Sequence, residues 1–251
     1  MRLDLLAALI AAAITTTWSM SASAQMQGAD PNSSAPFGSP VDDEHVWMHV
    51  ILEQFEGRIG GENRLRWDGE AWTGTDTHRL WLKSEGELQD GKVSDGQHEL
   101  LYDTPISSYF DLQAGLRYDI DDRASRGWAA FGIEGLSQYF FHLSATAYAS
   151  DRGHFGAKLF GSYDLLITQR LILQPEIELN LYTKAEPKRL VGSGLSDLDT
   201  GLRLRYEISR KFAPYVGIAY EKRFGQTGRL TAAAGEKTDV LRFALGIRAW
   251  L

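Results

Sequence analysis

Four stretches of this chain alternate apolar and polar side chains with a period of two. In 198–208, Leu198, Thr200, Leu202, Leu204, Tyr206 and Ile208 stand against Asp199, Gly201, Arg203, Arg205 and Glu207. In 171–182, Leu171, Leu173, Pro175, Ile177, Leu179 and Leu181 oppose Gln174, Glu176, Glu178 and Asn180. Phe110, Leu112, Ala114, Leu116, Tyr118 and Ile120 oppose Asp111, Gln113, Arg117 and Asp119. The chain ends on Leu241, Phe243, Leu245, Ile247, Ala249 and Leu251, opposite Arg242 and Arg248. Successive side chains of an extended backbone point to opposite faces, so each stretch is a strand with one greasy and one charged face. Nothing after His45 sustains a period of 3.6, and the fold class is all-β.

Two architectures accept such strands. A soluble sandwich turns the apolar faces into a dry core. A transmembrane antiparallel up-and-down β-barrel turns them to lipid and lines its lumen with the polar faces. Three features favour the barrel. Residues 1–24 read as a signal peptide, with an apolar run from Leu5 to Ile14 and a small-residue site at Ala22-Ser23-Ala24. That run is too short to span a membrane as a helix, which takes about 20 residues. The strands have the roughly 9–11 residues a tilted span requires, and the final one runs to the last residue. Tyr109, Phe110, Tyr139, Tyr206, Tyr215 and Trp250, near strand ends, suit interfacial girdles.

Composition removes whole classes of chemistry. The 251 residues include no Cys, which excludes disulfides, zinc–thiolate sites and thiol nucleophiles. A formal net charge of −7 argues against nucleic acid as a partner. A mean hydropathy of −0.26 is too polar for a helical membrane protein but compatible with a barrel.

Segment 25–44, rich in Pro, Ser, Gly and Asp, reads as a flexible lead-in, and 45–251 as the barrel. Twelve strands are expected near 46–57, 64–73, 78–87, 97–104, 109–120, 127–136, 139–149, 155–166, 171–182, 198–208, 213–224 and 239–251. Trp and charge interrupt the alternation of the first four.

Several passages resemble the copper resistance protein B (CopB/PcoB) family. They include Leu65-Arg66-Trp67-Asp68, the run His78 to Glu87, and the run Asp111 to Asp119. Leu165 to Pro175, Gly192 to Asp197, Gly201 to Glu207 and Phe212 to Gly217 continue it in order, so the resemblance covers about residues 46–251. It implies an outer-membrane barrel serving copper resistance, encoded beside a periplasmic multicopper oxidase. The chain departs from the family at two points. The Met- and His-rich segment common ahead of the barrel is reduced here to Met26, His45, Met48 and His49, and the aromatic terminus is shifted, with Trp250 followed by Leu251.

Thioethers suit Cu(I) and imidazoles Cu(II), so His45, Met48 and His49 form the first copper candidate. In a regular strand Met48 points away from both His, and a joint site then needs irregular backbone. His98 and His142 are the second candidates, expected in the lumen beside carboxylates. The polar phases supply Arg66, Asp68, Lys83, Glu85, Glu99, Arg117, Glu134, Glu176, Glu178, Arg203, Arg205, Glu207, Glu221 and Arg242. These charges make either a pathway for cations or a salt-bridged plug, since unpaired charges are costly away from water. His142 and Ser144 stand two apart like a catalytic pair, but Phe141, Leu143, Ala145 and Ala147 take the lipid phase and turn both inward, away from a lipid substrate.

The expectation is a barrel of about twelve strands in the bacterial outer membrane, binding or passing copper ions and not an enzyme. Its partners are membrane lipid, copper and the multicopper oxidase. A general small-solute pore is the alternative, and a lipid-modifying enzyme the more distant one.

Overall fold

Strands of this chain pair with their sequence neighbours until the last meets the first. The computed structural model describes residues 45–121 and 124–251. The signal peptide expected at 1–24 and the lead-in at 25–44 lie outside the described residues. In chain order the strands are β1 Trp47–Ile59, β2 Arg64–Gly74, β3 Arg79–Gln89, β4 Lys92–Pro105, β5 Phe110–Asp121, β6 Arg126–Leu136 and β7 His142–Ser150. There follow β8 Phe155–Ser162, β9 Leu165–Leu166, β10 Leu171–Tyr182, β11 Gly194–Tyr206, β12 Phe212–Arg223 and β13 Asp239–Trp250. All pairings are antiparallel, and β13 pairs with β1, so the sheet closes into a barrel. β8 and β9 occupy one position in the wall, both pairing with β10, which leaves twelve staves.

The burial pattern is inverted relative to a soluble protein, and this decides between the two architectures. Leu116, Phe243 and Leu245 are 66%, 69% and 61% exposed, whereas Glu56 and Arg58 are fully buried. Apolar side chains that face outward all round a closed sheet belong against lipid, and the charged phase fills the lumen. A small apolar cluster of Leu101, Trp128, Ala130 and Tyr148 is also luminal.

Three local departures have physical causes. The stave expected at 155–166 is broken at Tyr163-Asp164, directly opposite Pro175, which has no N–H to give the ladder. β1 slips register around Glu53, so its inward phase changes from His49 and Ile51 to Gln54, Glu56 and Arg58. The β12–β13 connection contains an unanticipated helix, α1 Gly225–Ala233. Two of the aromatics expected at the girdle are turned inward instead. Tyr215 is buried in the lumen with its hydroxyl donating to Glu56 Oε2 at 3.0 Å, and Trp250 packs its ring near the luminal His49.

Room for the luminal side chains comes from glycine on β11 and β13. A Cβ on Gly201 would stand 2.6 Å from Arg203 Nη1, and one on Gly246 would stand 2.7 Å from both Glu56 Cβ and the Tyr215 hydroxyl. The glycines make hollows that the neighbouring guanidinium and phenol fill.

Candidate functional site

The mid-lumen is cross-linked by ion pairs. Arg58 on β1 meets Glu56 at 2.8 Å, Asp199 on β11 at 3.0 Å, Glu221 on β12 at 3.0 Å and Glu87 on β3 at 3.3 Å. Arg203 reaches from β11 to Glu56 at 2.9 Å and also pairs with Glu176. Arg66 lies 3.6 Å from Asp199 and 3.7 Å from Glu85. Lys158 on β8 pairs with Glu85 on β3 and with Glu178 at 3.3 Å. Buried opposite charges at these distances hold one another, because each alone would carry its full desolvation cost. Ion pairs of both signs cross this level of the lumen, the geometry expected of a salt-bridged plug.

The expected luminal charges mostly join it. Arg117 pairs with Asp119 at 2.6 Å under the Tyr148 ring, and Tyr148 donates to Glu99 at 2.7 Å. Arg242 pairs with Glu221, and Asp68 stands opposite Glu85 in the ladder. Arg205 is buried but reaches the more exposed Asp164 at 2.7 Å and Gln174 at 3.2 Å, and Glu207 falls past the end of β11. Sequence reasoning missed Glu56 and Arg58, the most buried members. Their signal was present as adjacent polar residues Glu53 and Gln54, which mark a slip of phase.

At the end of the barrel where β1 starts and β13 stops, called the vestibule, imidazoles and carboxylates line the lumen. His142 Nε2 lies 3.1 Å from Glu134 Oε1, and Glu134 also pairs with Lys83. Glu70 lies within coulombic reach of Lys83, Glu134, Glu53 and His142. His49, two staves from Trp81, has its ring 6.1 Å from Trp72 and 5.5 Å from Trp250. Met48 points the other way, 61% exposed on the outer wall, so the regular strand separates it from His49. His45 packs at a tilt against Trp47, ring centroids 4.4 Å apart, ahead of β1. Among the described residues no three His, Asp or Glu side chains converge as a preformed metal site. His142 and Glu134 supply two such ligands on one wall, with His49 on another.

His98, expected in the lumen, is instead on the outer wall. It shares the phase of Leu100 and Tyr102, stands opposite Ser84 and Tyr118, and takes a hydrogen bond geometry of 3.1 Å between Nδ1 and Ser84 Oγ. β4 alternates strictly through this region, and His98 falls on its even, outward phase. His142 and Ser144 both face inward, and His142 spends its Nε2 on Glu134.

The opposite end carries the two longest connections, 183–193 and 224–238. In outer-membrane barrels long loops face outward and short turns face the periplasm, so the vestibule opens to the periplasm. The 183–193 loop folds across the outward mouth. Arg189 reaches Asp119 at 3.1 Å and Asp121 at 3.4 Å on β5, and Glu186 pairs with Arg126 on β6. Burial disfavours the Arg189 charge, but Asp119, Tyr182 and Asp121 outweigh it and hold the guanidinium above its usual range. α1 braces the loop from behind, with Thr227 Oγ1 accepting from Gly192 N–H at 2.8 Å.

Comparison with known proteins agrees with this geometry. The family model described as copper resistance protein B precursor (CopB) matches residues 46–251. The chain is 39% identical over 226 residues to copper resistance protein B of Escherichia coli, covering 88% of this chain and 76% of that protein. It is 39% identical over 214 residues to the copper resistance protein B homolog of Pseudomonas syringae pv. tomato, covering 85% and 73%. Among solved structures the NanC porin superposes with a TM-score of 0.53 at 11% identity, over 81% of this chain and 99% of that one, a likeness of fold alone. With a non-enzymatic family, a barrel inverted for lipid and a matched length that spans every strand, the chain belongs to the copper resistance protein B family of the bacterial outer membrane.

Proposed function

We propose that the protein contributes to copper resistance by binding copper ions in its periplasm-facing vestibule, not by conducting them as an open pore. The observation that carries this reading is the His142–Glu134 contact at 3.1 Å, in a vestibule whose floor is closed by the mid-lumen ion pairs. Imidazole nitrogen with carboxylate oxygen suits Cu(II), and the second imidazole, His49, adds a donor of the same kind. His49 and His142 would hold the ion, Glu134 and Glu70 would complete its charge, and His45 would meet it at the entrance. Met48 and His98, on the outer wall, stand outside this site. A signal peptide ending at Ala24 would deliver the chain across the inner membrane. A periplasmic multicopper oxidase would meet the barrel at the vestibule.

The test is a copper titration of the refolded mature chain, with Cu(I) and Cu(II) in separate arms against a competing chelator. His49→Ala with His142→Ala should weaken binding by an order of magnitude or more. Unchanged affinity in that double variant overturns the vestibule site. A wild-type barrel that conducts ions like an open porin overturns the closed reading in favour of a general pore.

A further inference from the structure

Lys83 stands at the centre of the vestibule's charges. It lies on β3 directly opposite Glu70 on β2 and Glu99 on β4, in one row of the ladder. Its ammonium pairs with Glu134 on β6, whose other carboxylate oxygen lies 3.1 Å from His142 Nε2. Glu70, Glu134 and His142 all lie within coulombic reach of Nζ. One tethered cation thus competes for the carboxylates a bound metal ion would use, since like charges at this range repel.

The three carboxylates are not equally committed. Glu70 meets Lys83 and Glu134 only at coulombic range. Glu99 accepts from the Tyr148 hydroxyl at 2.7 Å and faces Arg117 on its other side, a guanidinium already held by Asp119. Glu134 is the carboxylate that Lys83 and His142 share.

The ammonium has a second perch. Nζ donates to Gln113 Oε1 at 3.2 Å, lies 5.3 Å from the centroid of the Trp81 ring, and has Glu99 beside it in the ladder. A compact charge on a flexible four-carbon stem can leave Glu134 and stay partnered there.

We infer that Lys83 is the specificity-determining residue of the vestibule, a built-in competitor that copper must displace. The inference rests on copper binding in the vestibule. In the exchange Glu134 releases the ammonium and takes the metal, while Nζ turns to Gln113 and Glu99. Charge balances without moving a proton, with Cu(II) against Glu70 and Glu134 and the ammonium against Glu99. A hard cation such as Mg(II) gains little from imidazole and has only the carboxylates for which Lys83 competes. Cu(II) gains nitrogen ligands as well, and so displaces the ammonium where Mg(II) does not.

The test is a Cu(II) titration of the mature, folded chain against a competing chelator, with and without excess Mg(II). Apparent affinity is reduced by the fraction of molecules in which Glu134 is free, so Lys83→Met should bind copper about tenfold tighter or more. Excess Mg(II) should weaken copper binding by Lys83→Met and leave wild type unaffected. Lys83→Arg, whose planar fork holds a carboxylate by two bonds, should bind copper more weakly than wild type. Heat-modifiable migration shows which variants fold, and Lys83→Arg decides where Lys83→Met does not. Copper affinity at or below wild type in folded Lys83→Met, or at or above it in folded Lys83→Arg, overturns the proposal. So does a wild-type chain whose copper is displaced by Mg(II). Loss of copper in His49→Ala with His142→Ala, beside unchanged Lys83 variants, overturns the competitor alone. Wild-type affinity in that histidine variant overturns the vestibule site and the competitor with it.

Discussion

Lys158 on β8 pairs with Glu85 on β3, across nearly the full width of the lumen, and Glu178 holds the same ammonium at 3.3 Å. One cation therefore ties far walls of the barrel together. Its loss leaves two carboxylates facing each other with little water. Lys158→Met should destabilise the barrel by about 3–5 kcal/mol, the cost of breaking a buried pair by removing one partner. Thermal unfolding in detergent reads the loss. Planar-bilayer recording should show raised conductance, and conductance equal to wild type would show that this pair does not gate the lumen.

Arg203 and Arg205 sit two residues apart on β11 but in unequal surroundings. Arg203 is 2% exposed between Glu56 and Glu176, whereas the Asp164 that meets Arg205 is 43% exposed. Arg203→Ala should therefore cost about 3–5 kcal/mol. Arg205 is as buried as Arg203, but Arg205→Ala should cost less, because the carboxylate it leaves behind, Asp164, keeps access to water. Chemical denaturation of the two single variants checks the order.

Gly246 faces Glu56 and Tyr215 with no space for a methyl group. Gly246→Ala should strain the buried pair and cost about 1–3 kcal/mol through overpacking. The matching control is Gly127→Ala on the open outer face, where nothing lies within 4 Å and stability should hold. Melting temperatures of the two variants separate the cases.

Leu204 stands on the outward phase of β11, opposite Leu173 and Val216. Leu204→Arg should lower the free energy of folding into bilayers by about 2–4 kcal/mol if the site lies near mid-membrane. Folding into lipid vesicles, followed by heat-modifiable migration, measures it.

The outward mouth is held by Arg189 on Asp119 and Asp121, and by Glu186 on Arg126. Arg189→Gln with Glu186→Gln should free the 183–193 loop without unfolding the strands. Amide hydrogen exchange should accelerate across 186–193 and stay unchanged in β10. Equal acceleration in β10 would mean that the pairs support the wall and not the loop.

Much of the site was legible in the chain because phase is a local property. Arg117, Arg203 and Glu178 were assigned inward from their neighbours alone, and the same alternation turned Met48 away from His49. His98 and Tyr215 show the limit. Their strands were recognised, yet His98 lies in one of the four least regular strands, and Tyr215 was read from its place near a strand end and not from its phase. Glu56 and Arg58 were hidden by the slip at Glu53, which changes inward for outward within one strand.

By itself the sequence determined that this chain would be strands with one charged and one greasy face, that it carried the marks of export, and that its family served copper resistance. Those are short-range patterns, written in alternate residues and ordered motifs. Only the tertiary structure decided which charges meet. Lys158 and Glu85 are 73 residues apart, and Arg203 and Glu56 are 147 apart. Their contact requires closure of β13 on β1 and a register set by twelve staves together. The ion pairs that cross the lumen exist only after closure, because each joins side chains that no single strand brings within reach.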